Sequence, residues 1–162
     1  MLNIRPATEQ DRDAIWNIFH EVVAAGDTYA FDPGMSREEA LAYWFRADTR
    51  TYVAENDGRV VGTYILTANQ PGLGSHVANA AFMVAQDTRG LGVGRNMAEH
   101  SLSEAGRLGF RAMQFNFVVS TNTSAIHLWQ QLGFKIVGTL PGAFRHSKLG
   151  YVDVYVMFRS LL

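Results

Sequence analysis

The chain has 162 residues, a length that fits one domain spanning 1–162 and can bury a real core. Apolar residues make up 48%, with ten Phe, six Tyr and three Trp, which excludes a disordered chain. The net charge of −1 gives no general pull toward nucleic acid or an anionic membrane, and the lack of cysteine excludes disulfides, thiolate metal sites and a cysteinyl acyl intermediate.

The opening Met1-Leu2-Asn3-Ile4-Arg5-Pro6 has no signal-peptide pattern, and no apolar run reaches about 18 residues, so the chain reads as cytoplasmic with no membrane partner. Leu2 to Arg5 is a short strand. Thr8 and Asp11 form a capping-box pattern, and Ile15, Ile18, Phe19 and Val22 follow at helical spacing, which predicts a helix over 9–24. The loop from Gly26 to Gly34 carries Tyr29 and Phe31 among helix breakers, two aromatics placed to line a site. Ser36 and Glu39 make a second capping box, ahead of a helix with Leu41, Trp44 and Phe45 on its apolar face.

Thr51 to Glu55 and Arg59 to Thr67 are strands, joined by Asn56-Asp57-Gly58, whose Asp-Gly pair is a hairpin signal. Val77 to Ala85 is the next strand. Arg89-Gly90-Leu91-Gly92-Val93-Gly94 then opens a third helix, with Val93, Met97 and Leu108 on one side and Gly109 as its stop. Ala112 to Val119 is a strand. Asn122 or Thr123 caps a fourth helix, whose apolar face is Ala125, Ile126, Leu128, Trp129 and Leu132 and whose end is Gly133. Phe134 to Gly138 and Tyr151 to Phe158 are the last strands, with 141–150 read as a long basic loop between them. The order β-α-α-β-β-β-α-β-α-β-β belongs to the α/β (α+β) class.

The glycine segment carries the most chemistry. Alternating glycines at a strand-to-helix turn leave backbone N–H groups uncovered at the positive end of a helix dipole, a ready site for phosphate or pyrophosphate. The P-loop string is absent, and the sixth position of a dinucleotide fingerprint is Arg95 when counted from Gly90 or Met97 when counted from Gly92. A ligand-free connector is the alternative reading of these six residues alone.

Asn79 and Asn116 lie inside apolar strands. A buried amide without partners costs roughly 1–3 kcal/mol, so each needs a specific partner, either across the sheet or on a substrate. For Asn122, helix capping and a ligand contact are compatible. No pair of histidines has metal-ligand spacing with a carboxylate partner, so no metal is expected. Glu21, Asp27, Asp32 and His76 are candidate bases, and spacing selects none. Arg145, His146 and Lys148 make 141–150 basic, suited to an acidic substrate, a partner subunit or plain solvation.

Arg89-x-x-Gly92-x-Gly94 resembles the Q/R-x-x-G-x-G/A pyrophosphate signature of the GNAT acetyltransferase superfamily, and Asn122-x-x-Ala125-x-x-Leu128-Trp129-x-x-x-Gly133-Phe134 is similar to its second mark. The resemblance extends to the element order of the whole chain. Over 75–137 the similarity is greatest to members that act on proline analogues. It implies the GNAT fold, a central mixed, mostly antiparallel, splayed sheet of about seven strands flanked by four helices. It also implies acetyl-CoA as cofactor, held by the backbone of Val84 and by Arg89, Gly90, Gly92, Val93, Gly94, Arg95 and Asn122, with a backbone N–H near Val84 stabilising the thioester oxygen. Asn79 and Asn116 take the catalytic and acceptor-facing role, with Tyr29, Phe31 and Phe117 around the substrate. Many relatives carry a tyrosine acid where this chain has Trp129, and an indole N–H is no useful acid.

The implied reaction is direct transfer of acetyl to the amine of a small molecule, an amino acid or a proline-like analogue. The alternatives are acetylation of a protein N-terminus or lysine, and a non-catalytic acetyl-CoA-binding module. A homodimer is expected, from the family's habit and the apolar last strand.

Overall fold

Local signals set most element boundaries in the computed structural model, which describes residues 1–162. Strand β1 (Leu2–Pro6) leads into the Thr8–Asp11 capping box, a 3-10 turn at Glu9–Asp11 and helix α1 (Arg12–Ala25). Ser36 accepts a hydrogen bond from the Glu39 N–H and starts α2 (Arg37–Trp44). Strands β2 (Arg50–Asn56) and β3 (Arg59–Ala68) join at Asp57-Gly58, with φ of 51° and 79°, as the Asp-Gly signal predicts. Strand β4 (Val77–Val84), α3 (Val93–Arg107), β5 (Ala112–Val119), α4 (Thr123–Gln131), β6 (Lys135–His146) and β7 (Gly150–Ser160) complete the chain.

The seven strands form one mixed sheet in the order β1-β2-β3-β4-β5-β7-β6. This is the GNAT fold expected from the sequence. Helices α1 and α2 cover one face, where Ile15, Phe19, Leu41 and Trp44 pack on Val53, Ile65 and Met83. On the other face α3 and α4 bring Val93, Met97 and Trp129 onto Tyr52, Tyr64, Leu66 and Ala80. Alternate residues of β2 and β3 therefore serve opposite cores. Gly62 lets α3 approach closely, because a Cβ there would lie 2.9 Å from Met97 Cε. The Trp44 indole donates to Thr63 Oγ1 at 2.9 Å and Thr63 donates to the Tyr52 carbonyl at 2.8 Å, which satisfies the polar atoms in the α2 core. No helix is long and apolar enough to cross a membrane.

Three readings change. The segment 141–150 is not a long loop. Strand β6 runs through Pro141 to His146 and turns at Ser147-Lys148-Leu149 into β7. The ladder breaks between Leu140 and Phe144, where Pro141 lacks an N–H and Gly142 (φ 57°) donates to Asp153 Oδ1, and then resumes with Phe144 opposite Val152. Proline is tolerated here because β6 is the sheet edge. Phe144, buried with Val119 and Val154, gives the resumed strand its anchor. Phe45 ends α2 as its C-cap and sits half-buried under the Arg12 guanidinium at 4.6 Å. Asn122 occupies the N-cap position of α4 but makes no capping bond from its side chain.

Candidate active site

The site originates in a failure of strand pairing. Strands β4 and β5 run parallel and pair only at Val77 with Ala112 and Ala78 with Met113. Just beyond, the Asn79 side-chain amide donates to the Gln114 carbonyl at 2.9 Å, the last tie between the strands before they part. The backbone then leaves one edge of β4 open. The Ala85 N–H points to Val61 on β3, so by strand alternation the main-chain groups of Ala80, Phe82 and Val84 point the other way, into the gap.

A cleft of about 840 Å³ follows that gap. At one end lie Arg89, Gly90, Gly92, Gly94 and Arg95; at the other lie Tyr29, Phe31 and Tyr43. Every residue that the sequence reading assigned to a site lines this one cleft, including Asn79, Val84, Val93, Asn116, Phe117 and Asn122. Glu21, Asp27, Asp32 and His76 do not line it, nor do Arg145, His146 and Lys148. Its only charged lining residues are Arg89 and Arg95, so no carboxylate or imidazole stands in position as a direct base.

The glycine end is built for an anion. Gly90 and Gly92 have φ of 83° and 81°, which explains glycine at both. Gly94 lies within the first turn of α3 and has no such φ. A Cβ there would meet no protein atom nearer than 3.8 Å, so neither packing nor backbone strain explains it. Glycine in a helix costs about 1 kcal/mol relative to alanine. Empty room beside the uncovered N–H groups of Val93, Gly94 and Arg95 fits a pyrophosphate pressed against the backbone. Arg89 makes no ion pair with the protein, whereas Arg95 is held by Glu99 at 3.2 Å and Gln131 at 3.0 Å. The Asn122 side chain, free of capping duty, faces the same cleft.

The other end is aromatic and tightly held. The Phe31 ring lies 5.0 Å from Phe19, 6.0 Å from Tyr29 and 5.1 Å from Tyr43. The Tyr29 hydroxyl donates to the Phe82 carbonyl at 2.6 Å and accepts from the Phe82 N–H at 2.9 Å, replacing a missing strand neighbour on the open edge. Burial pushes that hydroxyl's pKa up to about 12. The β6–β7 turn clasps the same loop, since Ser147 donates from its N–H to the Gly26 carbonyl at 3.0 Å and from Oγ to the Ala25 carbonyl at 2.9 Å. Thr28 Oγ1, in a residue that lines the cleft, is buried without a protein partner.

The two strand asparagines differ in setting. Asn79 spends its amide on the Gln114 carbonyl, the cross-sheet partner, while its own oxygen carries no protein hydrogen bond. Asn116 is exposed; it donates to Asn69 Oδ1 at 2.6 Å and accepts from Gln114 Nε2 at 2.8 Å. Trp129, 9% exposed, packs at tilted and edge-on angles among Phe82, Phe115 and Phe134, so it is both core and wall of the cleft. Sequence reading missed Tyr43 and the main chain of Phe82. Tyr43 carried no signal beyond helical spacing, and the direction of the Phe82 amide depends on which edge of β4 is paired.

Known proteins of one family resemble this chain in sequence and fold. The model of the acetyltransferase (GNAT) family matches residues 14–134. N-acetyltransferase aca1 of Schizosaccharomyces pombe is 32% identical over 151 residues, covering 83% of this chain and 72% of its own. A GCN5-related N-acetyltransferase from Kribbella flavida superposes with a TM-score of 0.95 at 48% identity, covering 98% of this chain and 97% of its own. The yncA structure from Salmonella typhimurium, solved with its cofactor acetyl-CoA, gives a TM-score of 0.87 at 25% identity, covering 100% of this chain and 95% of its own.

Proposed function

This chain belongs to the GNAT acetyltransferase family, and we propose that it acetylates the amine of a small molecule, an amino acid or a proline-like analogue, by direct attack in a ternary complex. The observation that carries the reading is the single cleft joining an anion-binding helix start to an aromatic end across an open strand edge. Acetyl-CoA, the cofactor bound in the yncA structure, supplies an activated thioester. The N–H groups of Val93, Gly94 and Arg95 with the Arg89 guanidinium bind its pyrophosphate, and the main chain of Val84 faces its pantetheine arm. A thiol with a pKa near 8.5 leaves without strong acid help, which fits tryptophan at 129.

Aromatic rings line the acceptor end, and the Ser147 clasp holds the loop that carries two of them. Asn79 and Asn116 offer neutral amide groups there, with Asn116 near an acceptor carboxylate. Holding amine and thioester together supplies much of the rate, since effective molarities are very large. With no ionisable base in the lining, the alkaline rise of kcat/KM follows the acceptor's own amine. A donor that carries many phosphate charges does not cross lipid unaided, which supports a cytoplasmic location. A homodimer is supported by apolar groups on the β6–β7 hairpin, where Val137 is 62% and Tyr151 74% exposed.

An amine panel tests the reading. Thiol release from acetyl-CoA is expected with some small amine, saturating in both substrates, and amines of different basicity should shift the midpoint of the pH–rate curve. Silence across amino acids, proline analogues, polyamines and peptides rejects it. Release with peptides alone makes the chain a protein acetyltransferase. Tight acetyl-CoA binding with no turnover makes it a binding module.

A further inference from the structure

Glu21 stands near the C-terminus of α1, the negative end of that helix's dipole, where a carboxylate gains nothing from its own helix. It does not line the cleft, so it is no direct base. Its Oε1 accepts instead from the Gln86 N–H at 2.7 Å. Gln86 opens the 3-10 turn Gln86–Thr88, and Ala85, just ahead of that turn, has no side chain that could cap it. A carboxylate from another element supplies the missing acceptor, in a charge-assisted bond. The next two residues are mounted as well. Both oxygens of Asp87 meet the guanidinium of Arg59, at the start of β3, at 2.9 Å. Thr88 is buried, and its hydroxyl donates to the Ala85 carbonyl at 2.9 Å. Three successive residues are thus held by α1, by β3 and by the core. Arg89, the unpaired cation of the cleft, follows directly in extended backbone.

We infer that Glu21 is a positioning residue for the coenzyme: through the Gln86 N–H it fixes the turn from which Arg89 reaches the pyrophosphate. This rests on the reading of the cleft as an acetyl-CoA site. A long, flexible cation loses rotamer freedom when it grips an anion, and a loose backbone beneath it would add to that cost. Gly90 (φ 83°), on the far side of Arg89, is a permissive residue and gives no stiffness. The stiffness therefore comes from the 86–88 mount. Helix α1 is a firm support for it, since Ile18, Phe19, Val22 and Val23 are buried in the core beneath that helix. Charge argues against a simpler role for Glu21. A carboxylate near an anion site repels the anion, so Glu21 acting by charge alone would weaken coenzyme binding. The bond it accepts accounts for its place. Arg59 offsets the charge, its guanidinium held more firmly protonated than usual by the Asp87 hydrogen bond, with the Glu21 charge as a small addition.

Two neutral variants separate position from charge. Glu21→Ala removes the acceptor, whereas Glu21→Gln removes the charge and keeps an oxygen for the Gln86 N–H. By calorimetry, the acetyl-CoA Kd should rise about fivefold in Glu21→Ala and stay within about twofold of native in Glu21→Gln. Arg89→Gln should raise it about 10- to 100-fold, as for the loss of a hydrogen bond to a charged group. In the Arg89→Gln background, Glu21→Ala should add less than about twofold, because the side chain that it positions is gone. A merely structural role for Glu21 would weaken binding equally in both backgrounds. Native affinity in Glu21→Ala, tighter binding in both neutral variants, equal weakening by both, or the full effect of Glu21→Ala without Arg89 overturns the inference. Failure of the native protein to bind acetyl-CoA overturns the underlying reading instead.

Discussion

The two ends of the cleft are built by different means. The cofactor end is mainly backbone: N–H groups at the start of α3, with side chains removed by glycine, from one stretch of chain to which the Arg89 guanidinium and the Asn122 side chain are added. The acceptor end is side chain: rings from the 26–34 loop and α2, amides from β4 and β5, and a clasp from the β6–β7 turn. A site made of backbone tolerates little change where it is bare, and much elsewhere. A site assembled from five places in the chain can change its substrate without touching its cofactor.

The sharpest way to break this contrast is Gly94→Val. Filling the empty room should weaken acetyl-CoA binding by about 100-fold or more, read by calorimetry, because the amides no longer reach the anion. The milder Gly94→Ala should leave the melting temperature little changed, since its Cβ meets Val84 Cγ2 at an ordinary contact distance of 3.8 Å. Unchanged binding would move the pyrophosphate elsewhere.

A smaller effect belongs at the seam between the ends. Asn79→Ala removes the last tie between β4 and β5 and leaves the Gln114 carbonyl short of a partner, at about 1–3 kcal/mol of stability. Turnover should fall about tenfold through misplacement of the reacting groups, with acetyl-CoA affinity held within threefold. Loss of cofactor affinity in place of turnover would assign Asn79 to the cofactor end.

The mildest test concerns the clasp. Ser147→Ala keeps the N–H bond to Gly26 and loses the hydroxyl bond to Ala25, so about 1 kcal/mol is at stake. The amine KM should rise two- to fourfold with acetyl-CoA affinity unchanged. A change in both would mean that the loop shapes the whole cleft.

The same contrast governs what could be read from residues alone. The Asp57-Gly58 hairpin, both capping boxes and the glycine loop are local devices, and each leaves its mark within a few neighbouring positions. The Tyr29–Phe82 pair joins residues 53 apart through a side chain and a main chain, a contact that no periodicity encodes. The 141–150 segment misled because Pro141 and Gly142 punctuate loops as readily as they bulge an edge strand. The register with β7 and the burial of Phe144 decide that case, and both are tertiary.

The Ser147 clasp also sets an order of events. Its two hydrogen bonds join the end of α1 to a turn more than a hundred residues later in the chain. A growing chain therefore lays down the glycine loop well before the residue that fastens the acceptor pocket exists. Closing so large a loop is slow relative to forming helix starts. Capacity to hold the donor is thus expected to precede capacity to choose an acceptor during refolding, a lag that stopped-flow binding with paired activity sampling would resolve.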